Sequence, residues 1–207
     1  MSRHGLLVII SGFSGAGKGT IVKNLMGTGK YRLSISATTR APREGEKDGR
    51  EYFFINRQEF EQGIMENRFL EWAEFSGNFY GTPREYVMEQ IKEGHDVILE
   101  IEPQGALQVK RKFPEAGLIF LTAPSMTILR DRLTGRGTET AEQIARRLSQ
   151  ARREIEKMHE YDYIVVNDDV NTCTDTVEKI IEVMHERACQ KQELIDSFRE
   201  EAELLEL

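Results

Sequence analysis

The chain is predicted to adopt a doubly wound α/β fold, with a parallel sheet of about five strands and a strand-rich piece inserted into it. Three observations lead there. An apolar run, Leu6 to Ile10, passes through a glycine-rich stretch into a helical pattern at Ile21, Val22, Leu25 and Met26. Strand-sized apolar runs at 97–101, 117–121 and 163–166 then alternate with helical patterns, as parallel strands joined by crossover helices require. From about 35 to 85 the alternation gives way to short aromatic runs and turns, which marks an insertion rather than another crossover.

In chain order, the glycine stretch is followed by Arg32–Arg43, an alternating strand that runs into a turn stiffened by Pro42. Tyr52–Ile55 reads as a short strand, Gln58–Met65 as a helix and Phe69–Phe75 as a strand. Gly77-Asn78 is the expected hairpin turn, and a helix follows with Thr82 as N-cap and Pro83 in its first position. Strand Val97–Ile101 ends in Glu100 and Glu102, expected on one side of it. A helix over 104–113, strand Gly117–Leu121, a helix capped by Ser125, a helix from Thr140 with Gln143 completing a capping box, and strand Tyr163–Val166 follow. From Val177 to Leu205 apolar residues recur at a period near 3.5, interrupted by Lys191. The half up to Ala188 is expected on the sheet. The rest either folds back over its own core or self-associates through Ile195, Phe198 and Leu205, leaving monomer and homo-oligomer both open.

Composition bounds the partners. The 207 residues suit one domain, and a net charge of −7 argues against non-specific binding to nucleic acid or to an anionic membrane. The start Met1–His4 followed by Leu6–Ile10 is too short for a signal peptide's apolar region, and Cys173 and Cys189 lack metal-ligand spacing. A cytoplasmic protein with free thiols is the expectation.

The glycine stretch carries the chemistry. Gly12, Gly15 and Gly17 let backbone N–H groups of Gly12, Phe13, Ser14, Gly15, Ala16, Gly17, Lys18, Gly19 and Thr20 turn toward an anion at the start of a helix. Lys18 supplies a mobile charge for a polyphosphate, and Thr20 a hydroxyl. Gly19 stands where most such loops place a magnesium-binding Ser or Thr, so a carboxylate at Glu100, acting through water, is the candidate metal ligand. Arg40 and Arg43 can converge on one phosphate, each with a planar fork for two oxygens. Arg132, Arg136 and Arg147 lie in or beside a glycine-bearing loop between helices, the composition of a mobile lid. Solvated basic turns and helices are the alternative for both clusters.

These motifs together resemble guanylate kinase, a family of P-loop nucleoside monophosphate kinases. The likeness rests on 12–20, 36–43, Gly49–Phe54, Phe69–Ala73, Gly77–Thr82, Gly135–Thr138 and Val166–Asp169. It implies one domain with a core (1–34, 86–124, 151–207), a GMP-binding insertion (35–85) and a lid (125–150), closing when both nucleotides bind. It implies phosphoryl transfer from ATP to GMP with Mg2+, in purine nucleotide metabolism. Ser36, Arg40, Arg43, Tyr52 and Tyr80 would hold the GMP phosphate, Gly81 would also line the GMP site, and Glu71, Thr82 and Glu102 would read guanine. Lys18, Arg132, Arg136 and Arg147 would stabilise the transferring group, and Asn167 would lie near adenine. The family usually carries Asp at positions 100 and 102. Guanine offers N–H donors at N1 and N2 and an acceptor at O6, which Glu71, Glu102 and Thr82 complement, whereas adenine reverses the polarity at position 6. The competing readings are a kinase preferring AMP and a non-catalytic guanylate-kinase-like binding module.

Overall fold

Buried β-branched strands place the site at one end of a sheet. The computed structural model describes residues 4–135 and 140–205. In chain order its elements are β1 (Leu7–Gly12), α1 (Lys18–Gly27), β2 (Tyr31–Leu33), β3 (Ala37–Thr38), β4 (Phe53–Phe54), α2 (Arg57–Met65), β5 (Phe69–Phe75), β6 (Asn78–Pro83), α3 (Arg84–Lys92), β7 (Asp96–Glu100), α4 (Pro103–Lys112), β8 (Gly117–Thr122), α5 (Met126–Thr134), α6 (Ala141–Ile155), β9 (Tyr163–Val166), α7 (Val170–Met184) and α8 (Gln192–Leu204).

Five parallel strands in the order β2-β7-β1-β8-β9 form the main sheet, so the chain reverses its direction of winding beside β1. Ligands bind at such a switch point, outside the carboxyl ends of the strands. Val8, Ile9 and Ile10 of β1 and Leu118, Ile119, Phe120 and Leu121 of β8 are sealed from solvent by helices on both faces. Each such side chain contributes about 1.5–3 kcal/mol on burial, so the strand that carries the glycine loop is firmly anchored in the core.

The smaller sheet has the order β4-β3-β6-β5 and its own core, in which Phe60 stacks on Phe69 and Phe79 with ring centroids 4.3 and 5.2 Å away. Four expectations shift here. The run 32–39 is split, because Tyr31–Leu33 pairs in the main sheet while Ala37–Thr38 pairs with β6. The hairpin turn is Ser76-Gly77, one residue earlier than expected; both have positive φ, 50° and 78°, and Phe75 faces Asn78. Thr82 does not cap α3. It stays in β6 with its hydroxyl bonded to Glu71, and Pro83 takes the N-cap position. Lastly, β7 ends at Glu100, so Glu102 is not a strand neighbour of Glu100 but the residue that opens α4.

The C-terminal pattern is also broken. Val177, Ile181 and Met184 are buried against the sheet, where Met184 lies over Gly117, and α7 ends there because no core remains beyond it. A short 3-10 turn, Ala188–Gln190, redirects the chain into α8, none of whose residues is buried.

Candidate active site

The loop between β1 and α1 is shaped by residues that leave no room for side chains. Gly17 opens α1 with φ 90°, and a Cβ there would come within 2.4 Å of Asn167 Nδ2. Asn167, from the end of β9, donates that amide to the Ala16 carbonyl at 2.8 Å and pins the loop from below, while its own Oδ1 is buried without a partner. It lines an open pocket of about 410 Å³ with Gly15, Gly17, Thr20, Arg132, Gly135 and Val170. The N-terminal N–H groups of α1 lie at this loop with no acid in the first turn to satisfy them, which suits an anion.

Lys18 bends back so that its ammonium donates to the carbonyl of Gly12 at 2.8 Å, within the loop that would hold phosphates. From α6, Arg147 Nη1 donates to Ser14 Oγ at 2.8 Å, which places one of the arginines expected of a lid directly on the glycine loop. Arg136, the other arginine expected of the lid loop, lies outside the described residues. Glu100 reaches toward the loop as well: its Oε1 lies 3.7 Å from the position a Cβ of Gly19 would take. The cleft walls raise the Glu100 carboxyl pKa by desolvation, Lys18 opposes the rise and Glu102 adds to it.

Glu154 is a member of this charge cluster that sequence reasoning passed over. It is 2% exposed on α6, accepts from Gln150 at 2.9 Å, and has its pKa raised by burial and by Glu102, against the pull of Lys18. The three-residue step from Ala151, which puts both on the buried face of α6, was the available signal.

The second half of the site is built on the smaller sheet. Arg40 forks onto Glu46, with Nη1 and Nη2 each 3.0 Å from a carboxylate oxygen, and its guanidinium lies 5.5 Å from the centre of the Tyr52 ring. Tyr52 and Tyr80 meet edge to face with centroids 6.0 Å apart. Arg43, on the same turn, is exposed, and Ser36 is half-buried at the entry to β3. Deeper in, Thr82 donates its hydroxyl to Glu71 Oε1 at 2.7 Å, and both are buried. Desolvation raises the Glu71 carboxyl above the ordinary carboxylate range, with Thr82 and Lys112 opposing it. Gly105 of α4 and Gly81 of β6 keep this corner open: a Cβ on Gly105 would stand 2.7 Å from Glu71 Oε2, and one on Gly81 would stand 3.0 Å from the Glu71 carbonyl. Glu102 lies within electrostatic reach of Glu100 and Glu154, at the head of α4.

A phosphate-cradling loop at the switch point of a doubly wound sheet, with an arginine- and carboxylate-lined insertion, is the architecture of a P-loop phosphotransferase acting on a small acceptor. Comparison with known proteins narrows the class. A profile described as Guanylate kinase matches residues 4–184. The chain is 48% identical over 204 residues to a guanylate kinase of Bacillus anthracis, covering 98% of each chain. It is 51% identical over 189 residues to one of Streptococcus thermophilus, covering 90% of each. The crystal structure of guanylate kinase from Anaplasma phagocytophilum superposes with a TM-score of 0.74 at 32% identity, over 95% of this chain and 96% of that one. This chain belongs to the guanylate kinase family.

Proposed function

We propose that the chain transfers the γ-phosphoryl group of ATP to a phosphate oxygen of GMP, giving ADP and GDP, with the glycine loop holding the donor and the smaller sheet the acceptor. The observation that carries the choice of base is the buried Glu71–Thr82 pair. A carboxylate that has paid for its desolvation needs N–H donors, and guanine supplies them at N1 and N2 while adenine has no N2 amine. A non-catalytic binding module fits less well, because Lys18 and Arg147 both converge on an intact phosphate loop.

In this reading Lys18 leaves the Gly12 carbonyl and follows the transferring group, joined by Arg132, Arg136 and Arg147. Ser36, Arg40, Arg43, Tyr52 and Tyr80 hold the acceptor phosphate. That phosphate is already an anion, so no strong base is required; alignment and charge neutralisation perform the catalysis. Magnesium bound with ATP would supply charge neutralisation at the phosphates. Among the described residues no three His, Cys, Asp or Glu side chains form a metal site, so the phosphates would be the main ligands, and Glu100, an oxygen donor beside Gly19, fits a hydrated hard cation through water. Residues 35–85 and 125–150 move toward the core when both nucleotides bind, excluding water from the transfer. No helix among the described residues is long and apolar enough to cross a membrane, and the reading requires no partner beyond the two nucleotides.

The test is ADP formation with ATP, magnesium and each nucleoside monophosphate in turn. GMP is expected to be the main acceptor, and equal turnover of AMP would refute the assignment of the base.

A further inference from the structure

Glu46 has no role in the reaction as described, yet it is the most heavily engaged carboxylate of the smaller sheet. Its Oε1 and Oε2 accept from Arg40 Nη2 and Nη1 at 3.0 Å each, and Oε2 also accepts the Arg43 backbone N–H at 2.7 Å. The turn that makes this possible is closed by the Glu46 N–H bonding the Arg43 carbonyl at 3.1 Å, with Gly45 in the third position at φ 84°. Only glycine adopts that conformation without strain, so residues 43–46 form a type II turn that returns the Glu46 carboxylate to the arginine pair.

The donors left over decide what this arrangement does. A guanidinium has five N–H groups. Arg40 commits three of them, two to Glu46 and a second from Nη1 to the Ala41 carbonyl at 2.7 Å. The remaining two, Nε–H and the outer Nη2–H, lie along the other edge in a fork suited to a phosphate, and a hydrogen bond with the Tyr80 side chain also engages this guanidinium. The rings of Tyr52 and Phe54, 5.5 and 5.8 Å from the guanidinium carbon, hold its plane, and the Tyr80 hydroxyl stands beside it.

We propose that Glu46 is a positioning residue for the acceptor: it grips the end of Arg40 so that the Nε edge, with Tyr80 beside it, is turned to the acceptor phosphate, and it fixes the turn that aims Arg43. The inference rests on the reading that Arg40 binds that phosphate. A carboxylate so close to an anion site also repels the anion, so the sign of its effect is a real test. If orientation dominates, neutralising Glu46 weakens GMP. If Glu46 competes for Arg40, neutralising it tightens GMP.

The experiment is calorimetric titration of GMP and of ATP into Glu46→Gln, Arg40→Ala and the double variant, with melting temperature measured on each. Glu46→Gln is expected to weaken GMP about tenfold, the scale of one charge-assisted hydrogen bond, with ATP affinity unchanged. Because Glu46→Gln keeps an acceptor for the Arg43 N–H, what it removes is the charged grip on Arg40, and the double variant should bind GMP little more weakly than Arg40→Ala does. Tighter or unchanged GMP binding by Glu46→Gln overturns the proposal, as does a fully additive double variant. A parallel loss of ATP affinity and melting temperature overturns it too, since that marks a general structural role. If Arg40→Ala itself leaves GMP affinity intact, the acceptor reading of Arg40 fails, and the proposal with it.

Discussion

The glycine loop and the smaller sheet are both read here as sites for phosphate, and they are built in opposite ways. The loop uses backbone N–H groups at the head of α1, mounted on a strand buried at all six positions. Its shape is set by what cannot fit, as at Gly17 against Asn167. The acceptor side uses side chains, and those are matched to one another before any ligand arrives: Arg40 to Glu46, Thr82 to Glu71. It rests on a small core around Phe60, Phe69 and Phe79 rather than on the main sheet. A backbone cradle fits any polyphosphate and discriminates little, whereas paired side chains discriminate by the penalty of leaving a buried partner unsatisfied. On the proposed reading the donor half therefore supplies rate, and the acceptor half supplies choice.

The largest expected effect falls on the donor half. Lys18→Ala should lower kcat about a hundred- to a thousandfold, the cost of removing one preorganised charge from a transferring group, with GMP affinity nearly unchanged. Steady-state kinetics with equilibrium GMP titration checks the split. A near-normal kcat would remove Lys18 from the reaction and break the division between the halves.

Next comes the base. Glu71→Gln should cut the preference for GMP over AMP by about tenfold to a hundredfold, since one charged hydrogen-bond acceptor is lost from a buried site. The same change should stabilise the protein near neutral pH. Burial raises the folded Glu71 pKa above its ordinary value, so the folded state favours the protonated form. Stability from this group is therefore greatest below the unfolded pKa and falls as pH rises through the folded one; at pH 7 the ionised group is a net cost. Melting curves should show the variant above the parent at pH 7.5 and the gain shrinking toward pH 4. A variant that melts lower at pH 7.5 would mean that the Thr82 bond outweighs desolvation.

Third, Arg43→Ala should weaken GMP about tenfold and leave ATP affinity alone, because its turn belongs to the acceptor side. Calorimetry showing unaltered GMP affinity would withdraw Arg43 from the site and leave Arg40 to carry the phosphate.

The same contrast explains what the sequence discloses. Gly12 to Thr20 is contiguous, and strand, loop and helix must follow in that order, so the donor loop and the parallel sheet are legible without coordinates. Errors gather on the acceptor side, where local signals compete with partners distant in sequence. Thr82-Pro83 looks like a helix start, but the Thr82 hydroxyl is taken by Glu71, eleven residues earlier, and the strand continues. Glu102 reads as a second strand acid until the helix of Pro103 begins beside it. Glu46 is one charge among several between Glu44 and Glu51, and only the turn at Gly45 singles it out. Asn167 and Glu154 act across the fold, on Ala16 and on the Lys18 cluster; the helical step from Ala151 marks Glu154 as inward-facing, but neither partner can be read from the linear pattern.

The smallest effect on activity is expected at the C-terminal helix, which has no fully buried residue and contributes none to either half of the site. In α7 the period of apolar residues is answered by burial, with Val177, Ile181 and Met184 against the sheet. In α8 it is not: Ile195 is only half-buried, and Phe198 and, just past the helix, Leu205 are exposed, Phe198 at 64%. A helix of 13 residues with none of them fully buried is marginal in water, so a partner surface would stabilise it, and a second copy of the chain presents a seam of the same spacing. Acidic borders at Glu193, Asp196, Glu200, Glu201 and Glu203 oppose such pairing, so association should strengthen as salt screens them. Phe198→Glu should then lower the mass seen in sedimentation and leave kcat within about twofold, since surface changes away from the site are close to neutral. Sedimentation of the unmodified protein at micromolar concentration, in low and high salt, decides the matter. A monomer under both conditions means that α8 is a solvated helix whose apolar period has no partner to meet.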